Sequence, residues 1–395
     1  MSLTAIHRPT WVSVDLDAAA HNLQEIREWT KAKKVYAVLK ADGYGLGAIP
    51  LAKAFQETAS ADALIVSNLD EALELRQADL TLPIWVLGAW DYSDLKLFID
   101  HDIVITIPSL AWLQNLPDFE GTLKVSLAID TGMTRIGFDK ADEISAAKKI
   151  IDKNPQLDLF SVYTHFATAD EAGEKSKAYF EEQLRRWQEL TINQGFDPSL
   201  FSMANSATCI WHHDDPRISF AAIRPGQLIS GVNVSNGELK MPPNLHLERI
   251  FSVCSEIADV RFVKKDQSLS YGASERMPED GYVATLPFGY NDGWLRRMQK
   301  SSVIINGKRM PIIGRITMDQ TMVKLDRKYP IGTRVTLIGK DGGEQITVEE
   351  VANYSHTIVD EIQTTLAPRI KRIYTGDLAE VIGANYGEGH HHHHH

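Results

Sequence analysis

Short apolar runs alternate with amphipathic segments along the chain as far as Pro242-Pro243. Runs of this length, rich in β-branched and aromatic residues, are typical of strands that are buried on both faces of a parallel sheet. The segments between them carry apolar residues at helical spacing, and one of them, the predicted helix 68–78, begins with Asn68 as its cap. The pattern predicts eight strands, at 35–39, 63–67, 83–88, 102–107, 123–129, 157–163, 200–203 and 220–223.

Eight predicted strands, nearly all of them followed by a helix, match a (β/α)₈ barrel. A doubly wound sheet is the alternative, because the last two strands are weakly marked. Beyond Pro243, apolar and polar residues alternate between glycine turns, which predicts a β-rich domain. We therefore predict an α/β fold: an N-terminal (β/α)₈ TIM-type barrel at 9–243, a C-terminal β-rich domain at 244–386 and a purification tag at 387–395.

Composition narrows the possible partners and the compartment. The 395 residues carry a formal net charge of -11, which argues against nucleic-acid binding. No apolar run approaches membrane-spanning length, and no apolar signal segment begins the chain. The two cysteines, Cys209 and Cys254, are expected to be reduced thiols in a cytoplasmic protein. With the histidine tag set aside, no metal site is predicted.

Lys40 ends the first predicted strand and is followed by a glycine-rich turn. Parallel α/β folds place their chemistry at the C-terminal ends of strands, and a desolvated lysine there becomes a nucleophile towards carbonyls. A lone lysine at a strand end is more often a surface residue. The other strand ends therefore decide between these interpretations.

The remaining strand ends carry a cluster of groups that could bind phosphate, together with further polar residues. Ser206 and the backbone amides of Gly226 and Gln227 follow strands seven and eight, where this fold binds phosphate. An amine nucleophile opposite a phosphate site points to pyridoxal 5′-phosphate, which carries an aldehyde and a phosphate. A sugar-phosphate aldolase with a Schiff-base lysine would use similar parts.

Eight short motifs extend this pattern through both predicted domains. They are Lys40–Gly47 (KADGYGLG), Asp130–Gly137 (DTGMTRIG), Thr164–Ala167 (THFA), Ala204–Ala207 (ANSA), Ile223–Gly226 (IRPG), Leu269–Gly272 (LSYG), Leu286–Trp294 (LPFGYNDGW) and Gly314–Gln320 (GRITMDQ). In this order they resemble the alanine racemase family over nearly the whole chain. The fold of that family, a barrel followed by a β domain, agrees with the pattern of apolar positions.

The resemblance implies a role for each matching residue. Lys40 would carry pyridoxal phosphate as an aldimine and act as one of two catalytic bases, and Tyr271 would be the other. Arg135 and the backbone amide of Met318 would bind the substrate carboxylate, and Tyr290 and Asp170 would line the substrate entrance. The residues implied in cofactor binding are Lys40, Tyr44, His165, Asn205, Ser206, Arg224, Gly226 and Gln227.

The implied function is interconversion of L- and D-alanine, which supplies D-alanine for peptidoglycan, in a homodimer whose subunits share their active sites. A racemase of another or broader range, such as serine, is the alternative. A decarboxylase of the same fold would place a carboxylate opposite the pyridine nitrogen, where Arg224 stands here. A non-catalytic pyridoxal-phosphate carrier would be a single barrel and would have no use for Tyr271.

Three positions depart from the family pattern. Ala128 replaces a lysine that orients the arginine matching Arg135, so we expect an anion such as chloride, or another polar side chain, to take its place. Ser202 replaces a histidine that supports the arginine matching Arg224. Asp360 replaces a tyrosine that reaches the phosphate. Because its carboxylate would repel a dianion, we expect Asp360 to turn away and phosphate affinity to be lower.

Overall fold

The structure is a computed structural model that describes residues 3–88, 91–269, 272, 275–299 and 301–384. The chain divides into two compact units. The barrel unit comprises Ala19–Gly43 and Leu51–Glu248, and the β unit comprises Met1–Ala18, Tyr44–Pro50 and Arg249–His395. None of the helices in the described ranges is long and apolar enough to cross a membrane.

Eight parallel strands close into a barrel within the described residues of the barrel unit. They are Lys34–Val38, Ala63–Val66, Ile84–Val86, Ile103–Ile107, Leu123–Ala128, Leu157–Tyr163, Phe201–Asn205 and Ala222–Arg224. The first strand pairs with the last, with Val35 opposite Ile223, and this pairing closes the barrel. All eight predicted strands are present, so the barrel is confirmed and the doubly wound alternative is wrong.

Helices connect the barrel strands, as the alternating pattern predicts. The helix after the second strand begins at its predicted cap, because the side chain of Asn68 accepts a hydrogen bond from the Glu71 amide. The right-handed α-helices that the structure describes in the two units are Leu16–Thr30, Ala48–Glu57, Leu69–Gln77, Leu95–Asp100, Leu110–Gln114, Ala141–Lys153, Glu174–Thr191, Ser206–Trp211, Val348–Tyr354, Val359–Thr364 and Asp377–Val381.

A ten-stranded sheet forms the core of the β unit over its described residues. Its strands are Thr10–Asp15, Phe251–Glu256, Asp259–Val263, Gly281–Leu286, Ser302–Ile305, Lys308–Ile313, Thr321–Lys324, Arg334–Asp341, Glu344–Ile346 and Lys371–Thr375. A separate pair is formed by Ser268–Leu269 and Glu275–Arg276. The predicted β-rich C-terminal part is therefore confirmed.

The N-terminal strand Thr10–Asp15 belongs to this sheet, although the predicted barrel domain began at residue 9. It pairs antiparallel with Phe251–Glu256 and parallel with Lys371–Thr375. Both partners are more than two hundred residues away along the chain, so no local pattern could reveal the pairing. The predicted domain ends at 243 and 386 stay predictions.

The turn after the first barrel strand is left-handed. Ala41, Asp42 and Gly43 have φ values of 54°, 52° and 65°, and Tyr44 has a φ of 55°. Only one of these four residues is glycine, so the turn is strained, as backbone at functional sites often is. Hydrogen bonds hold it: the Ala41 amide donates to the Glu71 carboxylate at 2.7 Å, and the Gly43 amide donates to the Leu39 carbonyl at 2.9 Å.

A buried carboxylate, Asp292, ties together distant parts of the β unit. Its side chain is 1% exposed and accepts hydrogen bonds from Arg8 at 2.7 and 2.9 Å, from Arg369 at 2.6 Å and from the Gly289 amide at 3.0 Å. Burial raises the pKa of Asp292, but these hydrogen bonds outweigh burial and hold the pKa below its usual value. The charged form is therefore favoured by folding.

Replacing this carboxylate in the Asp292→Asn variant should lower the free energy of unfolding by about 3 kcal/mol, because two arginines lose their buried partner. Since the folded pKa is depressed, the stabilisation is present above pH ~4 and is lost as pH falls through the folded value. Urea unfolding of wild type and variant between pH 3 and pH 7 measures both effects.

The matched control is Asp259→Asn, because Asp259 pairs with Arg261 at the surface of the same unit. This substitution should change the free energy of unfolding by no more than about 0.5 kcal/mol. Equal losses in the two variants, or a difference between Asp292→Asn and wild type that stays constant with pH, would contradict the assignment.

Candidate active site

The closed barrel brings the ends of its first and last strands together. Val35 pairs with Ile223, and the Val38 amide donates to the Pro225 carbonyl at 2.9 Å. Lys40 follows the first strand and Arg224 ends the last strand, so both residues lie at the C-terminal mouth of the barrel. The mouth therefore carries an amine and a guanidinium on neighbouring strands.

Arg224 is buried and held from two sides. One terminal nitrogen donates to the carbonyl and the hydroxyl of Ser202 at 2.7 and 2.6 Å, and the other donates to the Thr164 carbonyl at 2.6 Å. Its guanidinium lies 5.1 Å from the centre of the Tyr163 ring. Burial lowers the pKa of Arg224 to about 10, so it keeps its charge near neutral pH. Ser202, the departure noted in the sequence, supports this arginine directly.

His165 follows the sixth barrel strand and lies within the field of three cations. Burial, followed by the charges of Arg224, Arg135 and Lys40, lowers the pKa of His165 to about 3. The ring is therefore neutral near pH 7, and the charges of all three cations act on it. Its Nε2 lies 3.3 Å from the Asn205 amide nitrogen. His165 and Asn205 are therefore within hydrogen-bonding distance of each other.

A hydroxyl and backbone amides lie together beyond strands seven and eight. The Ser206 hydroxyl accepts hydrogen bonds from the amides of Gly226 at 2.9 Å and Leu228 at 3.4 Å. Asn205 caps the short helix that begins at Ser206, since its side chain accepts from the Thr208 amide at 3.1 Å. Gln227 is buried beside Gly226. Hydroxyls and backbone amides are the donors that proteins use for phosphate groups.

The loop that carries Arg135 is shaped by its own residues. The Asp130 carboxylate accepts hydrogen bonds from the amides of Gly132 and Thr134, both at 3.0 Å. Arg135 is exposed at the surface of the loop, yet its charge acts on His165 and on Arg224. Ala128 is buried in the strand before the loop. The role of Arg135 in binding a substrate carboxylate stays a prediction.

Asp170 lies at the end of the segment that begins with Thr164 and His165. It is half-buried, and burial raises its pKa, with further contributions from the charges of Glu171 and Glu238. Its side chain is therefore an acid in an environment that disfavours the charged form. The role of Asp170 at a substrate entrance stays a prediction.

Two of the predicted residues of the β unit line a cavity of about 600 Å³. Tyr290 is 40% exposed and Met318 is 50% exposed. The Tyr290 amide donates to the Thr317 carbonyl at 2.9 Å, and the Asn291 amide donates to the Met318 carbonyl at 3.1 Å. These two backbone hydrogen bonds hold the Met318 loop beside Tyr290.

The charge of Asp360 acts on Tyr44 within the β unit. Burial, followed by the negative charge of Asp360, raises the pKa of Tyr44, so its phenol is protonated at neutral pH. Asp360 therefore acts on Tyr44, and whether its carboxylate turns away from a phosphate stays a prediction. Tyr271, the predicted second base, lies outside the described residues. Within the described ranges, no group of three or more His, Cys, Asp or Glu side chains is arranged to hold a metal ion.

Sequence reasoning missed two residues that support this mouth. The Tyr163 ring contacts Arg224, and no pattern in the sixth strand marks it for that role. Gln183 is fully buried on the helix Glu174–Thr191 and contacts the segment that carries His165. A glutamine within the apolar stripe of a helix is a signal that would have marked it.

Comparison with known proteins identifies the family. Residues 14–234 match the family model for the alanine racemase N-terminal domain, and residues 250–374 match the model for the C-terminal domain. The alanine racemase of Streptococcus equi subsp. zooepidemicus (strain H70) is 42% identical over 378 residues, which are 94% of this chain and 100% of that relative. The chain belongs to the alanine racemase family.

Solved structures of this racemase family superpose on the chain over nearly its full length. The crystal structure of alanine racemase from E. faecalis has a TM-score of 0.88 and 34% identity, and it covers 95% of this chain and 100% of its own. Alanine racemase from Bacillus anthracis, with bound L-Ala-P, has a TM-score of 0.85 and 39% identity over 94% of this chain and 96% of its own. Alanine racemases are isomerases, so the chain belongs to a family of isomerases.

One similar structure is named for a different amino acid. The histidine racemase from Leuconostoc mesenteroides has a TM-score of 0.86 and 31% identity, and it covers 95% of this chain and 100% of its own. The alanine racemase fold is therefore shared by a racemase named for a larger side chain.

Proposed function

We propose that this protein is a pyridoxal-phosphate-dependent racemase that interconverts L-alanine and D-alanine. The observation that carries the proposal is the convergence of Lys40, buried Arg224 and the Ser206–Gly226 cluster at one barrel mouth. Relatives named alanine racemase, similar over nearly the full length, support the choice of alanine.

The donors present fit pyridoxal phosphate at each of its polar ends. Lys40 would bond to the aldehyde carbon, the Ser206 hydroxyl and the Gly226 amide would bind the phosphate, and Arg224 would donate a hydrogen bond to the ring nitrogen. Tyr44 adds a protonated phenol, which can also donate to phosphate. When bound, the cofactor supplies an electron sink that makes the α-carbon of the attached amino acid acidic.

Racemisation requires a proton to leave one face of the α-carbon and another to reach the opposite face. We assign the Nζ atom of Lys40 to one face and the phenol oxygen of Tyr271 to the other. A phenol has a pKa near 10, so Tyr271 needs nearby positive charge to act as a base near neutrality. Because His165 is neutral, that charge would come from Arg224 and Arg135.

The substrate carboxylate would lie between the Arg135 guanidinium and the backbone amide of Met318. Arg135 lies in the barrel unit, whereas Met318 and Tyr271 belong to the β unit. We propose a head-to-tail homodimer in which each active site takes Tyr271, Met318 and Tyr290 from the other subunit. The exposure of Met318 and Tyr290 in the single chain supports this arrangement.

The proposed setting of the enzyme follows from its product. D-alanine made in the cytoplasm would supply peptidoglycan synthesis.

An anion such as chloride would neutralise Arg135 where Ala128 leaves no lysine to orient it. A broader substrate range is the second candidate, and the similarity to a histidine racemase is the observation that favours it.

The direct test is racemisation by the purified protein with added pyridoxal phosphate. Pure L-alanine, L-serine and L-histidine are incubated separately, and the enantiomers are separated by chiral chromatography. We expect alanine to reach an equal mixture with the highest kcat/KM. A higher kcat/KM for serine or histidine would establish the second candidate, and no racemisation of any of the three would contradict both.

A further inference from the structure

We propose that Gln183 is a positioning residue that fixes the loop carrying Arg135 to the loop carrying His165. The hydrogen bonds of Gln183 go to neither the Arg135 side chain nor the His165 side chain. Gln183 acts through two loops, Asp130–Gly137 and Thr164–Asp170 (the arginine loop and the histidine loop), by bonds to the Thr131 hydroxyl in the first and to the backbone of the second. The importance of these loops for activity rests on the function proposed above.

The side-chain amide of Gln183 uses both of its N–H donors and its acceptor oxygen in hydrogen bonds. Its oxygen accepts from the Ala167 amide at 2.9 Å, and its nitrogen donates to the His165 carbonyl at 3.0 Å and to the Thr131 hydroxyl at 3.1 Å. A primary amide offers two N–H donors and one acceptor oxygen. Two of these bonds go to the histidine loop and one goes to the arginine loop. One side chain, 0% exposed, therefore links both.

A second link joins the same two loops directly. The hydroxyls of Thr131 and Thr164 lie 2.7 Å apart, and both residues are buried. The Thr131 hydroxyl thus bonds to Gln183 and to Thr164 at once. Because buried polar groups polarise one another in such networks, the loss of one member should loosen the others.

The helix that carries Gln183 contacts the arginine loop at three places on one face. Tyr179, Gln183 and Arg186 are spaced four and three residues apart, so they lie on the same side of the helix. The Tyr179 hydroxyl donates to the Gly132 carbonyl, and Arg186 donates to the Thr131 carbonyl at 3.4 Å. These contacts hold the beginning of the arginine loop against the helix.

The helix Glu174–Thr191 packs tightly against the arginine loop at Gly132. A Cβ atom at Gly132, where φ is +143°, would lie 2.9 Å from the Tyr179 hydroxyl and 3.2 Å from Cγ of Gln183. A shift of the Gln183 side chain would therefore move the loop backbone as well. Such displacements matter because a misplacement of about 1 Å in a binding group can cost about 10²-fold in rate.

The Gln183→Glu variant tests the link with little change of shape. The introduced carboxylate keeps the acceptor for the Ala167 amide but removes both donors. We expect KM for L-alanine to rise about tenfold, with a smaller fall in kcat, because Arg135 is displaced before chemistry begins. Backbone amides of both loops should exchange with deuterium at least about tenfold faster, measured by mass spectrometry of the holoenzyme.

The pH dependence separates positioning from a general loss of structure. A protonated carboxyl group regains one donor, so the KM defect relative to wild type should shrink as pH is lowered from 8.5 to 6. A defect that is independent of pH would overturn the proposal. If this variant does not fold, Thr131→Val should reproduce the rise in KM, and Thr131→Ser, which keeps the hydroxyl, should restore the wild-type value.

Gln156→Glu is the matched control. The two loops follow the strands Leu123–Ala128 and Leu157–Tyr163, and Gln156 makes similar hydrogen bonds at the opposite, N-terminal ends of these strands. Its nitrogen donates to the carbonyls of Phe119 and Gly121 at 2.8 and 3.0 Å. KM and exchange in the two loops should be unchanged in this variant, and equal effects in both variants would overturn the proposal. Deuterium exchange needs no racemisation, so it tests the link even if the wild type fails to racemise alanine, which would contradict only the proposed function.

Discussion

The Lys40→Ala variant should racemise alanine at least about 10³-fold more slowly than the wild type. The variant would lack two functions of Lys40 at once, the covalent bond to the cofactor and the removal of a proton from one face of the α-carbon. Initial rates from both enantiomers of alanine measure the loss.

The attachment can be measured separately from the rate. Borohydride reduction of the wild-type holoenzyme should fix the cofactor to the peptide that contains Lys40, detected by mass spectrometry, and the variant should show no such product. Lys34→Ala is the matched control, because Lys34 begins the same strand at the other end of the barrel. Cofactor fixed to another lysine, or wild-type rates in Lys40→Ala, would remove the foundation of the proposed mechanism.

The Tyr271→Phe variant should divide the reaction into its two halves. Removal of the α-proton from L-alanine should slow by about 10³-fold, because the phenylalanine ring offers no base. Removal of the α-proton from D-alanine should persist through Lys40. Incubation of each enantiomer in deuterium oxide, with deuterium uptake followed by mass spectrometry, measures the two half-reactions independently.

Tyr282→Phe serves as the control for this substitution. Tyr282 belongs to the same unit, and its ring packs edge-on against Phe262 with the ring centres 5.5 Å apart. Loss of its hydroxyl should leave both half-reactions unchanged. If Tyr271→Phe slows the two enantiomers equally, the assignment of one base to each face is wrong.

Local patterns account for most of the fold that could be predicted. Strand Leu157–Tyr163 and helix Leu69–Gln77 were found because burial imposes a period on the apolar residues and an Asn68 cap marks a helix start. The positions of Lys40, Ser206 and Arg224 followed from the barrel, since parallel strands end at one mouth. Their proposed roles came from the resemblance to a family.

Other features depend on neighbours that are distant in the chain. The strand Thr10–Asp15 is part of the β unit because residues beyond 250 pair with it. The left-handed turn at Ala41–Tyr44 is held by Glu71, whose carboxylate accepts from the Ala41 amide. Gly43 and, to a lesser degree, Asp42 favour such a backbone, but Ala41 and Tyr44 do not, so a left-handed run of four residues could not be predicted from the turn alone.

The sequence by itself determined the order of strands and helices, favoured a barrel over a doubly wound sheet and marked the residues at the strand ends, because burial and chirality act on neighbouring residues. Only the tertiary structure decided that His165 is neutral, that Ser202 holds Arg224 and that Gln183 links two loops. Charges and hydrogen bonds depend on distances of a few ångströms between residues far apart in the chain. Those distances exist only once the chain has folded.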